Sequence, residues 1–327
     1  MAILITGSAG FIGSHLTEKF VNDKPQVEII ALDKLTYAGN LENLSEVNSK
    51  DNFRFIHGDI CNQVLLDKIF DENYIDAIFH LAAESHVDNS IKNPNTFIQT
   101  NVNGTVSLLE AARKNLDKSN PVFYHISTDE VFGTLGKTDK SFNEKNPYKP
   151  NSPYSASKAS SDHFVRAYGE TYGLDYIITN CSNNFGPKQH DEKLIPVVLK
   201  SILQKKQIPV YGNGSNIRDW LYVKDHIQAL YKIHKSKILN ETFCIGGGVE
   251  LDNLTLVKIL CEETDKLLGK KSQSKELITF VKDRAGHDFR YSIDNSKLMG
   301  SINWSPNEDF IDLIIETISY YLKKYKK

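Results

Sequence analysis

Cysteine is scarce in this chain of 327 residues. Its four cysteines, Cys61, Cys181, Cys244 and Cys261, stand far apart and lack the spacing of metal ligands, so they read as reduced, partly buried thiols. That excludes a disulfide frame, and no metal site is expected. Charge of one sign is also missing: 39 basic against 41 acidic residues leave a net charge of -2. Without a basic surface to release bound counterions, general nucleic-acid binding is excluded, and an anionic ligand must be met by local charge. No apolar run approaches the roughly 20 residues of a membrane span. The opening Met1-Ala2-Ile3-Leu4-Ile5-Thr6-Gly7 has no basic leader followed by a long apolar stretch, so a cytoplasmic protein is expected. Repeats, low-complexity tracts and flexible linkers are absent as well. What remains is ordinary for a globular protein, 40% hydrophobic and 24% charged, which predicts a sizeable core.

The length suits two domains, or one large α/β unit with a smaller lobe and a cleft between them. Short apolar runs at 2–6, 27–33, 53–57, 77–81, 122–127 and 176–180 read as strands. Between them, 11–21, 64–70, 97–116 and 153–172 carry the apolar spacing of crossover helices. This alternation predicts an α/β fold, a Rossmann-type doubly wound parallel sheet, over residues 1–182. Beyond residue 183 the regularity loosens, with Gly and Pro punctuation and helices expected at 254–268 and 310–325. Residues 183–327 are therefore expected to form mainly a smaller ligand-binding lobe, with some segments returning to the first domain. The terminal Lys323-Lys324-Tyr325-Lys326-Lys327 reads as a solvated helix end.

Gly7-Ser8-Ala9-Gly10-Phe11-Ile12-Gly13 joins the first strand to the first helix, where backbone must turn tightly and approach a pyrophosphate. The spacing is GxxGxxG, a pattern that resembles the extended branch of the short-chain dehydrogenase/reductase superfamily. Asp33 ends the second expected strand, where a carboxylate can accept hydrogen bonds from ribose hydroxyls and repel a 2′-phosphate. NAD is accordingly favoured over NADP. Asp59, after the third strand, is placed to meet the adenine.

Tyr154 and Lys158 are four residues apart on one expected helix face. The ammonium is expected to lower the phenol's pKa and make Tyr154 a proton acceptor near neutrality, while also reaching the nicotinamide ribose. With Ser127-Thr128 at the end of the fifth strand, they match a Ser/Thr–Tyr–Lys arrangement. Asp129-Glu130 follows directly, at the strand end where open parallel sheets bind ligands. Adjacent carboxylates repel, which tends to keep one protonated and provides an acid beside a base.

These segments resemble those of the bacterial dTDP-glucose 4,6-dehydratase family. The likeness extends from 32–41 through Leu81-Ala82-Ala83-Glu84-Ser85-His86-Val87-Asp88, Asn180-Cys181-Ser182-Asn183-Asn184-Phe185-Gly186-Pro187 and Lys193-Leu194-Ile195-Pro196. It continues at Tyr211-Gly212-Asn213-Gly214, Ile217-Arg218-Asp219-Trp220 and Asp283-Arg284-Ala285-Gly286-His287-Asp288. Ala285 stands where the family commonly has proline, and Phe289 where a polar or basic residue is frequent, which bears on the rigidity of that loop. Related epimerases usually carry small residues at the acidic pair, and GDP-mannose dehydratases and decarboxylases typically Ser-Glu. Another NAD-dependent nucleotide-sugar epimerase, dehydratase or decarboxylase is the alternative reading.

The resemblance implies dehydration of dTDP-glucose to the 4-keto-6-deoxy sugar. Tyr154 takes the C4 hydroxyl proton, Glu130 removes the C5 hydrogen, Asp129 protonates the departing C6 hydroxyl, and Thr128 holds the C4 oxygen. It implies cofactor contacts at Gly7, Gly10, Phe11, Ile12, Gly13, Asp33, Lys34, Thr36, Asp59, Ile60, Leu81, Ala83, Ser85, Thr100, Tyr154, Lys158 and Asn184. Substrate contacts follow at Ser85, Thr128, Asn183, Lys193, Leu194, Pro209, Tyr211, Arg218, Asn253, Arg284 and His287. Lys193, Arg218, Arg284 and His287 would supply the positive charge and donors for a diphosphate. It also implies a homodimer formed through the 97–116 and 153–172 helices.

Overall fold

The computed structural model describes residues 1–269 and 273–326. Its strands are β1 (Ala2–Thr6), β2 (Glu28–Asp33), β3 (Phe53–His57), β4 (Ile75–His80), β5 (Val122–Thr128), β6 (Tyr176–Cys181), β7 (Asn183–Phe185), β8 (Ile208–Tyr211), β9 (Ile217–Tyr222), β10 (Glu241–Ile245), β11 (Glu250–Asp252) and β12 (Ile278–Val281). Seven of them form the central sheet in the order β10-β6-β5-β4-β1-β2-β3, all paired in parallel. The Ala-Ile-Leu-Ile-Thr run of β1 is buried throughout, as a strand covered by helices on both faces must be. Alternation divides its side chains: Ile3 and Ile5 join one apolar cluster with Phe20, Phe79 and Tyr124, while Leu4 joins the opposite one with Leu32, Phe70, Ile78 and Phe123. Each such fully buried Leu, Ile or Phe contributes about 1.5–3 kcal/mol of transfer energy.

The winding reverses between β1 and β4. The loops leaving their carboxyl ends diverge there and open a crevice. A seventh central strand, β10, comes from the second half of the chain and pairs with β6. The remaining strands form a three-stranded sheet, β11-β9-β7, and a parallel pair, β12-β8.

The expected 97–116 helix is interrupted. A short helix at Pro94–Phe97 leads into a π-helical turn, Ile98–Asn103, and then into the helix Gly104–Lys114. The wide turn lets the Asn101 amide donate to the Glu84 carbonyl at 3.0 Å and to Ser157 Oγ at 2.9 Å, tying three elements together. The helix Pro153–Tyr172 has the expected bounds. Ser152 and Ser155 cap its start reciprocally, Pro153 supplies the fixed φ of its first turn, and Gly173 at φ +74° ends it. In the closing helix Phe310–Lys326, Lys324 and Tyr325 are not simply solvated: both reach Asp191 Oδ1, at 2.8 and 2.9 Å. Lys327 lies outside the described residues. Among the described residues no helix is long and apolar enough to cross a membrane, and none of the four cysteines forms a disulfide.

Candidate active site

The glycine turn lies under the crevice and leaves no room for side chains. Gly7 has φ +68°, and a Cβ there would stand 2.6 Å from the Ala82 backbone nitrogen. A Cβ on Gly13 would overlap the Gly7 carbonyl. The helix Phe11–Asp23 begins at Gly10 with no side-chain cap and no acidic residue in its first turn, so its free N–H groups favour an anion. Asp33 closes the other side, one carboxylate oxygen accepting from Ala9 N at 2.9 Å and the other from Leu35 N at 2.7 Å. It is thus both a turn anchor and a cavity carboxylate. Burial pushes its pKa up, against those two N–H bonds. Asp59 is paired with Lys34 at 2.7 Å.

Every expected cofactor residue lines one cavity of about 310 Å3: Gly7, Gly10, Phe11, Ile12 and Gly13, then Asp33, Lys34, Thr36, Asp59 and Ile60, and Leu81, Ala83, Ser85, Thr100, Tyr154, Lys158 and Asn184. Thr128, Asp129 and Glu130 line its inner end. A second cavity of about 300 Å3 is lined by Ser85, Asn183, Lys193, Leu194, Pro209, Tyr211, Arg218, Asn253, Arg284 and His287. Ser85, Glu130, Asn183, Glu192 and Lys193 belong to both, so the two cavities meet at Glu130, next to Asp129. Each is of the size that small-molecule sites occupy.

The acidic pair follows β5 in a short 3-10 turn, in which Thr128 Oγ1 accepts from Glu130 N at 3.3 Å. Asp129 is 2% exposed, and its carboxyl is held well above the usual carboxylate range, first by burial and then by repulsion from Glu130 and Asp219. Burial therefore exceeds the neighbour repulsion that the sequence suggested. Glu130 is also raised by burial, but Arg218 and Lys193 oppose the shift. The pair comprises an acid that stays protonated and a neighbour more able to ionise.

The expected low pKa of Tyr154 is not found in the protein alone. Burial drives the phenol well above 10, and Glu130 and Cys181 add to the shift while a Thr128 hydrogen bond opposes it. Lys158 makes no hydrogen bond to the phenol to offset that burial; its Nζ donates to the Ile126 carbonyl at 2.9 Å. The expected diphosphate charges also need correction. His287 is lowered by burial and bonds Asp283 at 2.7 Å, so it enters as a neutral group. Arg284 is already engaged by Asp88, through Nε at 2.6 Å and Nη2 at 3.2 Å. Arg218 lies 4.4 Å over the Tyr291 ring and donates to the Ile217 and Asp288 carbonyls. Around the Ala285 departure the loop needs no proline: the His287–Asp283 bond closes it, and Phe289 N donates to Thr134 Oγ1 at 2.9 Å. Sequence reasoning assigned no role to Asp88, which stands 196 residues from its arginine partner. Among the described residues no group of three or more His, Cys, Asp or Glu side chains could hold a metal.

A family model described as GDP-mannose 4,6 dehydratase matches residues 4–317. The dTDP-glucose 4,6-dehydratase of Escherichia coli is 48% identical over 98% of this chain and 94% of its own length. That of Neisseria meningitidis serogroup B is also 48% identical, over 98% and 93%. Among solved structures, the dTDP-glucose 4,6-dehydratase DesIV of Streptomyces venezuelae, crystallised with NAD bound, superposes with a TM-score of 0.92 at 42% identity, covering 100% of this chain and 98% of that one. The chain belongs to the dTDP-glucose 4,6-dehydratase family, within the broader family of GDP-mannose 4,6-dehydratase type.

Proposed function

We propose that the protein dehydrates dTDP-glucose to dTDP-4-keto-6-deoxyglucose with NAD in the first cavity and the nucleotide sugar in the second. The observation that carries this reading is the buried Asp129-Glu130 pair where the two cavities meet, beside Tyr154. A simple dehydrogenase needs no second acid and base there. The side-chain-free glycine cradle and the Asp33 carboxylate fit the pyrophosphate and ribose of a dinucleotide. NAD, when bound, supplies a hydride acceptor that takes the C4 hydrogen and later returns it to C6.

Tyr154 receives the C4 hydroxyl proton, with Thr128 beside the same oxygen. The resulting ketone acidifies the C5 hydrogen, which Glu130 removes. Asp129, protonated before the reaction, gives its proton to the departing C6 hydroxyl, and water leaves. The Glu130 proton then returns to C5. Each group is needed in the state its surroundings favour, except Tyr154, which burial holds as a phenol and which must be ionised before it can take the alcohol's proton.

The division of labour assigns NAD mainly to residues 1–182 and the nucleotide sugar mainly to 183–327, with β10 returning to the first sheet. A homodimer is supported by Ile98, Phe164 and Tyr172, large apolar side chains exposed on the two segments expected at its interface. A cytoplasmic location is supported by the unpaired thiols. Mass spectrometry after incubation with dTDP-glucose, without added NAD, tests the reaction. Loss of one water with a new 4-keto absorbance is expected; an unchanged product mass overturns it.

A further inference from the structure

Beside Tyr154 a polar cluster runs from the wall of the first cavity, at Lys158, into the core. Lys158 is 4% exposed, and His125 and Asp162 are fully buried. Burial pulls the Lys158 ammonium below the ordinary lysine range, and only a nearby anion opposes that shift. The identity of that anion follows from the groups facing it on each neighbouring element.

On β6, Cys181 is no anion, because burial and then Asp129 push its thiol up to about 12. On β5, His125 Nε2 stands 3.5 Å from Lys158 Nζ and 3.1 Å from Asp162 Oδ1. Burial and the Lys158 charge pull that imidazole down to about 4, so it is neutral. His80 on β4, its ring 5.3 Å from that of His125, is likewise kept neutral by burial. Tyr154 on the same helix is held as a phenol, as described above.

Asp162 differs from all of these. Burial pushes it up, but the His125 imidazole against it and the Lys158 charge outweigh that and leave it below the usual carboxylate range. Its Oδ2 accepts from Tyr148 OH at 2.8 Å and from the Asn180 amide at 3.2 Å. Tyr148 in turn accepts from Arg166 at 3.2 Å, a second cation within reach of the same carboxylate. Asp162 is therefore the ionised acid of the cluster, one helical turn beyond Lys158.

Resting on the dehydratase reading, we infer that Asp162 is a positioning residue for the redox half of the reaction: its buried charge, across His125, keeps Lys158 an ammonium directed at the Ile126 carbonyl. A charged Lys158 on the face that carries Tyr154 stabilises the phenolate that takes the proton when the C4 alcohol is oxidised. The role differs from structural packing because it depends on the carboxylate's charge and not on its shape.

The test uses the holoenzyme labelled with 13C at the lysine ε-carbon, with the Lys158 signal identified by its absence from Lys158→Met. In the unaltered protein this signal should report an ammonium throughout the neutral range. In Asp162→Asn it should titrate at lower pH by about one unit or more, as removal of a close opposite charge requires. The alkaline limb of kcat should move down in parallel. Asp162→Glu should restore both, and Tyr148→Phe, which keeps the charge, should leave the limb in place. A neutral Lys158 amine in the unaltered protein overturns the inference even if Asp162→Asn does not fold. So does an Asp162→Asn enzyme whose kcat falls with an unmoved profile. Failure of the unaltered protein to remove water from dTDP-glucose counts against the dehydratase reading alone, because the lysine titration needs no turnover.

Discussion

Replacing Asp129 by asparagine separates the two halves of the proposed chemistry. Asp129 Oδ1 accepts from Thr128 Oγ1 at 3.2 Å, and its Oδ2 has no partner among the described residues. Asparagine keeps the shape and the Thr128 contact, but the amide N–H groups at the position of Oδ2 cannot transfer a proton as a carboxylic acid does. Loss of a positioned general acid costs about 100- to 10,000-fold. At 1.36 kcal/mol per decade this raises the elimination barrier by about 2.7–5.4 kcal/mol. Oxidation at C4 uses Tyr154 and should be nearly unaffected, so reduced cofactor accumulates on the variant and its absorbance rises in a single-turnover experiment. In deuterated water the variant should still exchange the C5 hydrogen, because Glu130 remains, whereas Glu130→Gln should not. Folding should not suffer: a carboxyl raised by burial weakens the fold when ionised, so Asp129→Asn should be at least as heat-stable at neutral pH. Dehydration within about threefold of the unaltered rate would be far below the loss expected of a general acid and would refute the assignment.

Gly13→Ala places a methyl against backbone, with the Gly7 carbonyl carbon 2.8 Å away, and should destabilise the fold by about 1–3 kcal/mol. It should also lose co-purifying NAD; full NAD content with an unchanged denaturation midpoint would contradict the cradle. Asp219 is pushed up from 3.8 to about 7 by burial, despite the Gly247 N–H at 3.0 Å. Its stabilising contribution is therefore present below about pH 4 and lost as pH rises through about 7. Asp219→Asn should flatten the fall in urea midpoint across that window, and parallel curves would contradict the shift. Asp88→Asn removes the carboxylate that orients Arg284 toward the second cavity, and because the pair is partly exposed KM should rise only about two- to fivefold with kcat unchanged. A fall in kcat at constant KM would place Asp88 elsewhere in the reaction.

The parts legible in the sequence were those governed by local backbone constraints. The glycine spacing required a tight strand-to-helix turn, and the apolar spacing of 153–172 marked the catalytic helix. The 97–116 segment was less legible because its apolar period continues through the π turn; only the Glu84 and Ser157 contacts of Asn101 favour the wider turn. Strand β10 could not be assigned to the central sheet from its own residues, since pairing with β6 is a property of the assembled sheet.

By itself the sequence determined the doubly wound class, the glycine cradle and the juxtaposition of Thr128, Asp129 and Glu130, because alternation, turn chemistry and adjacency act over a few residues. Tertiary structure decided the charge states. Asp129 is protonated and Tyr154 is a phenol chiefly because they are buried, and Arg284 faces Asp88 across a long chain separation. Desolvation and long-range ion pairing exist only once the layers close, and spacing along the chain carries little information about either.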